Sequence, residues 1–202
     1  MVKRIFTLAM AMFVASSACF ATNWSKVAKK KAKEDKKEGW VAPPGSLPLE
    51  IQNERYFEMK AQKDENGFDK FIEGKGISVG QNYDAAKMQA INLAKIELAG
   101  NIATDVAGNI TSNAGNNQLD PEDAASTVET VMGAKALIAQ SIGRIIVASE
   151  MIRVLPNKNK EVSVVILYNA EMAKAAAKKA IKEEMEKKGD KLVEQLDKML
   201  GF

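Results

Sequence analysis

Histidine is absent from this 202-residue chain, and cysteine occurs once, as Cys19. Those two facts remove most familiar chemistry. No Ser-His or Cys-His nucleophile pair, structural zinc site or usual haem ligation can be built without imidazole and with one thiol. A lone cysteine also rules out an intramolecular disulfide. No apolar run reaches the roughly 20 residues that a membrane-spanning helix needs. Enzymatic readings are thereby confined to carboxylates, lysines and hydroxyls, and no motif calls for a cofactor.

What is present begins with a leader. Lys3 and Arg4 are followed by an apolar run from Ile5 to Ala15 and then by Ser16, Ser17 and Ala18, the three-part layout of a secretory signal. Residues 1–21 are therefore expected to be a signal peptide, which directs the rest to the periplasm or the periplasmic face of the outer membrane. Two cleavage outcomes fit. Cutting after Ala21 releases a free exported protein; Ser16-Ser17-Ala18-Cys19, read as a lipoprotein box, makes Cys19 a lipidated first residue that anchors the chain to a membrane.

Hydrophobic residues make up 46% of the chain and charged residues 27%, which is the balance of a folded globular domain. The net charge of +3 is misleading, because removing Lys3 and Arg4 leaves +1, the sum of +4 over residues 22–39 and −3 beyond them. From Trp40 onward the chain is mildly acidic. A basic folded surface for nucleic acid is not expected, since backbone contacts need clustered positive charge. Residues 22–47, lysine-rich and ending near Pro43-Pro44-Gly45, read as a solvated tether, with Lys29, Lys30 and Lys31 available for contact with anionic headgroups or wall polymers. Residues 48–202 are expected to form a single domain.

Within it the pattern predicts a short helix over 49–57 and a turn at Asp64-Glu65-Asn66-Gly67 leading into a strand over 68–79. A long alanine-rich helix follows from about Asn82 to Val106, then an Asn-rich loop at 112–117. Asp120-Pro121-Glu122-Asp123 marks a second helix start, with a capping carboxylate, proline at the first position and acids in the first turn. Two β-branched runs, 144–155 and 161–169, predict an antiparallel hairpin. A last helix runs from about Asn169 to the C-terminus, bent or split near Gly189-Asp190. Its stripe of Met185, Leu192, Leu196 and Met199 fits packing onto its own sheet or a partner surface, and the former is expected. The total is an α+β fold, an antiparallel sheet of three to four strands packed against long alanine-rich helices.

Several chemical readings fail on spacing. Gly74-Lys75-Gly76-Ile77-Ser78-Val79-Gly80 matches neither a dinucleotide fingerprint nor a Walker loop; its glycines fit a bulge or a close backbone approach in an edge strand. Glu122 with Asp123, and Glu183 with Glu184, are carboxylate pairs of the kind glycoside chemistry uses. Helix capping and a solvated helix face account for them. The turn at Asp64 offers too few ligands for calcium. No catalytic, cofactor or metal residues are assigned.

The stretch Phe71-Ile72-Glu73-Gly74-Lys75-Gly76, the alanine-repeat helix from Asp84 to Gly100 and the late strand pair resemble the LPP-twenty family of envelope lipoproteins over about residues 50–175. The whole layout, with Trp40 to Pro48 and the ending Leu196 to Phe202, is similar to exported proteins of Bacteroidetes-like bacteria. The resemblance implies an α+β envelope domain, related to one used in flagellar-ring assembly, without enzymatic activity. It is expected to bind an envelope protein partner or itself. An exported module that binds or acts on cell-wall or outer-membrane glycan is the alternative.

Overall fold

The computed structural model describes residues 23–115 and 120–188. The leader with Cys19, part of the Asn-rich segment, Gly189-Asp190, and Leu192, Leu196 and Met199 lie outside the described residues. In chain order the elements are α1 (Trp24–Lys37), α2 (Leu49–Lys60), β1 (Phe71–Gly80), α3 (Tyr83–Gly115), α4 (Pro121–Gly133), α5 (Lys135–Ser141), β2 (Ile146–Val154), β3 (Lys160–Asn169) and α6 (Ala170–Lys188). The expected α+β class holds. The three described strands form one antiparallel sheet in the order β1-β3-β2, with Gly76 opposite Val164 and Ile152 opposite Val162.

Side chains alternate across the sheet. Val162, Val164, Ile166 and Tyr168 of β3 point to one face and enter the main core with α3. On that face β1 presents Gly74, Gly76, Ser78 and Gly80, so it offers almost no side chain, and α3 fills the space with Ala86, Ala90, Ala94 and Leu98. The approach is tight. A Cβ at Gly76 would stand 2.6 Å from the Ala94 nitrogen, and closer still to the Ala90 carbonyl oxygen; one at Gly74 would stand 2.7 Å from the Leu98 Cβ. The expected close approach in an edge strand is thus what these glycines serve.

The buried row of α3 does not end at Leu98. Ile102, Val106 and Ile110 continue the buried row, now covered by α4, α5 and α6. Met185 of α6 is fully buried, but α6 packs mainly on α3, α4 and α5 and touches the sheet less, a correction to its expected seat on the sheet. The expected loop at 112–117 is also corrected, since α3 continues to Gly115. Its last turns carry hydroxyls that bond back along the helix, Thr111 Oγ1 to the Ala107 oxygen and Ser112 Oγ to the Gly108 oxygen, both 2.9 Å. Asp120 caps α4 by accepting from the Glu122 amide at 2.9 Å, with Pro121 at the first helical position.

The largest difference from expectation is at residues 22–47. The lysine-rich run is helix α1, capped by the Asn23 side chain, and not a solvated tether. Ala28, Ala32 and Asp35 recur at helical spacing and are buried against α2. Trp24 stacks on Phe57 with ring centres 5.9 Å apart, and Lys36 bonds Glu50 at 2.5 Å. The buried Asp35 is held by Lys31 and by the Asn53 amide. The folded body therefore takes in α1 and does not start at residue 48.

Gly76→Ala is expected to lower unfolding free energy by at least about 2–3 kcal/mol, because backbone must move to admit the methyl group. Gly108→Ala, in the same structure but facing open space within α3, is expected to raise it by about 0.5–1 kcal/mol. Urea unfolding of both variants checks the pair.

Candidate functional site

A sheet edge presents unpaired backbone groups, and folded proteins usually cover or blunt it. The outer edge of β2 is covered along its middle. Val41 and Ile152 exchange two hydrogen bonds of 2.9 Å, the Gln52 side chain accepts from the Glu150 amide at 2.7 Å, and Arg153 donates to the Glu38 carbonyl at 3.2 Å. Arg153 in turn lies over the buried Trp40 ring, 4.4 Å from its centre.

The outer edge of β1 is covered over only part of its length. In an antiparallel ladder alternate residues turn their N–H and C=O away from the partner. Here these are the odd-numbered residues. The Lys75 amide donates to Glu97 and the Glu73 carbonyl accepts from Asn101, both at 3.0 Å and both from α3. Past Lys75 this cover stops. No described residue meets the outward groups of Ile77 and Val79, and no proline or charged residue interrupts 76–80. Their side chains are 54% and 43% exposed. Leu93 stands one helical turn before Glu97 on the same row and Ile96 lies beside it, 41% and 61% exposed, so the open stretch has apolar side chains on both faces.

Two matching polar clasps hold the sheet to its helices. On α2, Tyr56 and Lys60 lie one turn apart; the phenol donates to Glu73 of β1 at 2.5 Å and the ammonium reaches the same carboxylate at 2.8 Å. On α3, Tyr83 and Lys87 repeat the spacing, with the phenol bonded to Glu150 of β2 and Lys87 at 2.9 Å from it. A tyrosine four residues before a lysine invites comparison with sites in which lysine lowers the phenol pKa. The opposite holds here. Burial first, and then the neighbouring carboxylate, push both phenols above their usual range. Tyr56 and Tyr83 stay protonated as donors. For Glu73, burial alone would raise the carboxyl, but Lys60, Tyr56 and Lys75 outweigh it and hold the group below its usual range.

A cleft of about 880 Å³ opens between the turn before β1, the middle of α3 and the start of α6. Phe68 stands at its mouth, 68% exposed, and Asn101, Thr104 and Asn109 line its α3 wall. Asp105 faces it without a described ion-pair partner. Loss of hydration within the cleft, and then the nearby Asp69, raise its carboxyl above the usual range. The Asp64 carboxylate shapes the turn beneath by accepting from the amides of Asn66 and Phe68, both at 2.9 Å.

The residues singled out in the sequence do not converge. Cys19 lies outside the described residues. Lys29 and Lys30 are exposed on α1, whereas Lys31 is engaged with Asp35. Glu122 and Asp123 lie in the first turn of α4, and Glu183 pairs with Lys187 at 2.9 Å on α6, so neither acidic pair faces the cleft. The clasps, the open edge and the cleft went unassigned in the sequence. Only the four-residue Tyr-Lys spacings signalled the clasps. Among the described residues no group of three or more Asp, Glu or Cys side chains is disposed to hold a metal, and no helix is long and apolar enough to cross a membrane. Compared with protein families, with curated proteins and with solved structures, the chain matches none.

Two titrations follow from these environments. Because Glu73 has a depressed folded pKa, its contribution is present above the unfolded value near 4.5 and is lost as pH falls through the folded value. Glu73→Gln is expected to cost about 1 kcal/mol at pH 7, discounted for its partial solvation, and progressively less toward pH 3. Asp105 has a raised folded pKa, so its ionised form destabilises the fold at neutral pH. Asp105→Asn is expected to stabilise the protein at pH 7, with the gain shrinking on acidification; thermal melts across pH check both signs.

Proposed function

We propose that this chain is a non-catalytic cell-envelope protein, exported by its leader, whose α+β domain serves as an interaction or assembly module. The observation that carries the reading is the open stretch of β1. Covering groups meet β1 at Glu73 and Lys75 and β2 at Glu150 and Ile152, yet Ile77 and Val79 keep free backbone donors and acceptors between apolar side chains. Such an edge accepts an extended segment from another chain, the backbone supplying affinity and alternate side chains supplying selectivity. The polar groups best situated for acid-base work are engaged in the Tyr-Lys-Glu clasps, which favours a binding role over catalysis. The LPP-twenty resemblance points the same way, toward an envelope domain without enzymatic activity, in the periplasm or at the periplasmic face of the outer membrane.

A benzophenone amino acid at position 77 tests this in intact cells of the native host. A discrete adduct with a protein, whether another chain or a second copy, is expected on illumination, and Val79→Lys is expected to reduce its yield about tenfold or more. Recovery of monomer alone under all growth conditions counts against the reading.

The cleft supports a second reading, a glycan-binding periplasmic domain, on one observation: an exposed aromatic ring, Phe68, at the mouth of a pocket whose wall carries amides and a hydroxyl. On that reading Phe68→Ala abolishes cosedimentation with purified cell wall, and equal sedimentation of the two proteins removes it.

A further inference from the structure

We infer that α1 is a membrane-surface docking element, its lysine face seated on the phosphates of an anionic lipid bilayer. The helix has two unlike sides. One buries Ala28, Ala32 and Asp35 against α2. Another carries Lys26, Lys29, Lys30, Lys33 and Lys37, all exposed. At 100° per residue these five fall within about 100° of arc, along a row about 17 Å long. No acidic residue falls inside that arc. Lys36, just outside one edge of the arc, is taken by Glu50, Lys31 on a more distant side is taken by Asp35, and Glu34 lies about 40° beyond the other edge; the five have no ion-pair partner among the described residues.

An ordinary solvated face does not have this pattern. Helix α6 of the same chain is also rich in lysine, but there Lys174, Lys182 and Lys187 each have a glutamate one turn away, at Glu171, Glu186 and Glu183. Interleaved signs leave α6 at a net +2 over 19 residues, against +5 over the 14 residues of α1. The single-sign row on α1 instead complements a plane of negative charge, where each lysine adds to the attraction and ordinary salt only partly screens it.

Position selects a bilayer over a dispersed polymer. On the export reading the leader ends at residue 21, two residues before the Asn23 cap, so α1 is the first described element beyond the membrane-directed segment. Its lysine face is straight and rigid because the other side is packed on α2. The packed alanines cannot insert into lipid, so the contact is electrostatic and peripheral. If Cys19 is acylated, the same row lies within a few residues of the anchor and supplies the second attachment that stable lipid anchoring needs.

The test uses the exported chain with Cys19→Ala, which removes the acylation site while the cut after Ala21 remains. Binding is measured by sedimentation with phosphatidylethanolamine vesicles with and without one-third phosphatidylglycerol. Binding is expected only to the anionic vesicles and is expected to be lost near 0.5 M salt. Lys29→Gln/Lys30→Gln/Lys33→Gln is expected to weaken it about 100-fold. The same three-charge removal on α6, at Lys179, Lys182 and Lys187, is expected to leave it within about threefold. Circular dichroism melts verify that both variants fold. Equal binding to neutral vesicles, no loss in the α1 variant, or retention by purified wall polymer in place of vesicles overturns the inference. None of these outcomes bears on the adduct at position 77, so the two proposals fail separately.

Discussion

The rest of the structure depends on how closely β1 and α3 approach. A strand with glycine at alternate positions has given up its side chains on one face, and a helix with alanine at every turn has given up bulk on the facing row. Together they let backbone meet backbone, with dispersion contacts replacing the interlocking of large side chains. The arrangement is unforgiving, because carbonyl oxygens line the contact and cannot rotate aside as a long side chain would. It also fixes where α3 runs. Once Ala90 and Ala94 are locked over Gly76, Glu97 and Asn101 fall level with Lys75 and Glu73 and satisfy the edge, while Leu93 falls level with the stretch that remains open.

The apolar contact sets distance, and the polar contacts set registration. Each Tyr-Lys-Glu clasp joins two side chains on one helix to a carboxylate on a strand, so sliding the helix by one turn would strand a partly buried charge. One clasp ties α2 to β1 and the other ties α3 to β2, across opposite halves of the sheet. Trp40 and Val41 complete the frame at the far edge. The polar groups of the clasps thus align helices with strands, each phenol and ammonium facing a carboxylate that accepts from it.

Much of this was legible in the sequence, unevenly. The hairpin of β2 and β3 followed from two β-branched runs around Pro156-Asn157, and the α4 start from Asp120 and Pro121, because the signals are local and the structure uses them locally. The meaning of Gly74, Gly76 and Gly80 was legible as a close approach, though not what approached. Helix α1 was missed because its buried face consists of two alanines and an aspartate, and an aspartate counts as buried only when Lys31 and Asn53 are known to meet it. Helix α2 hides its contacts in the same way, burying Gln52 and Asn53. The cleft joins segments more than a hundred residues apart, and the open edge is defined by which groups α3 fails to reach. Neither leaves a mark in a one-dimensional pattern.

The closure of the β2 edge separates the N-terminal helices from their seat by a long stretch of chain. Gln52 meets Glu150, and Glu38 meets Arg153, 98 and 115 positions further on. A chain delivered N-terminus first offers α1 and α2 little beyond each other and the Glu73 clasp on β1 until β2 arrives. Loop closure over that span costs entropy that only the finished sheet repays. The two helices can thus pair early and seat on β2 late, and for that interval Gln52 and the Glu38 carbonyl lack the partners that β2 brings.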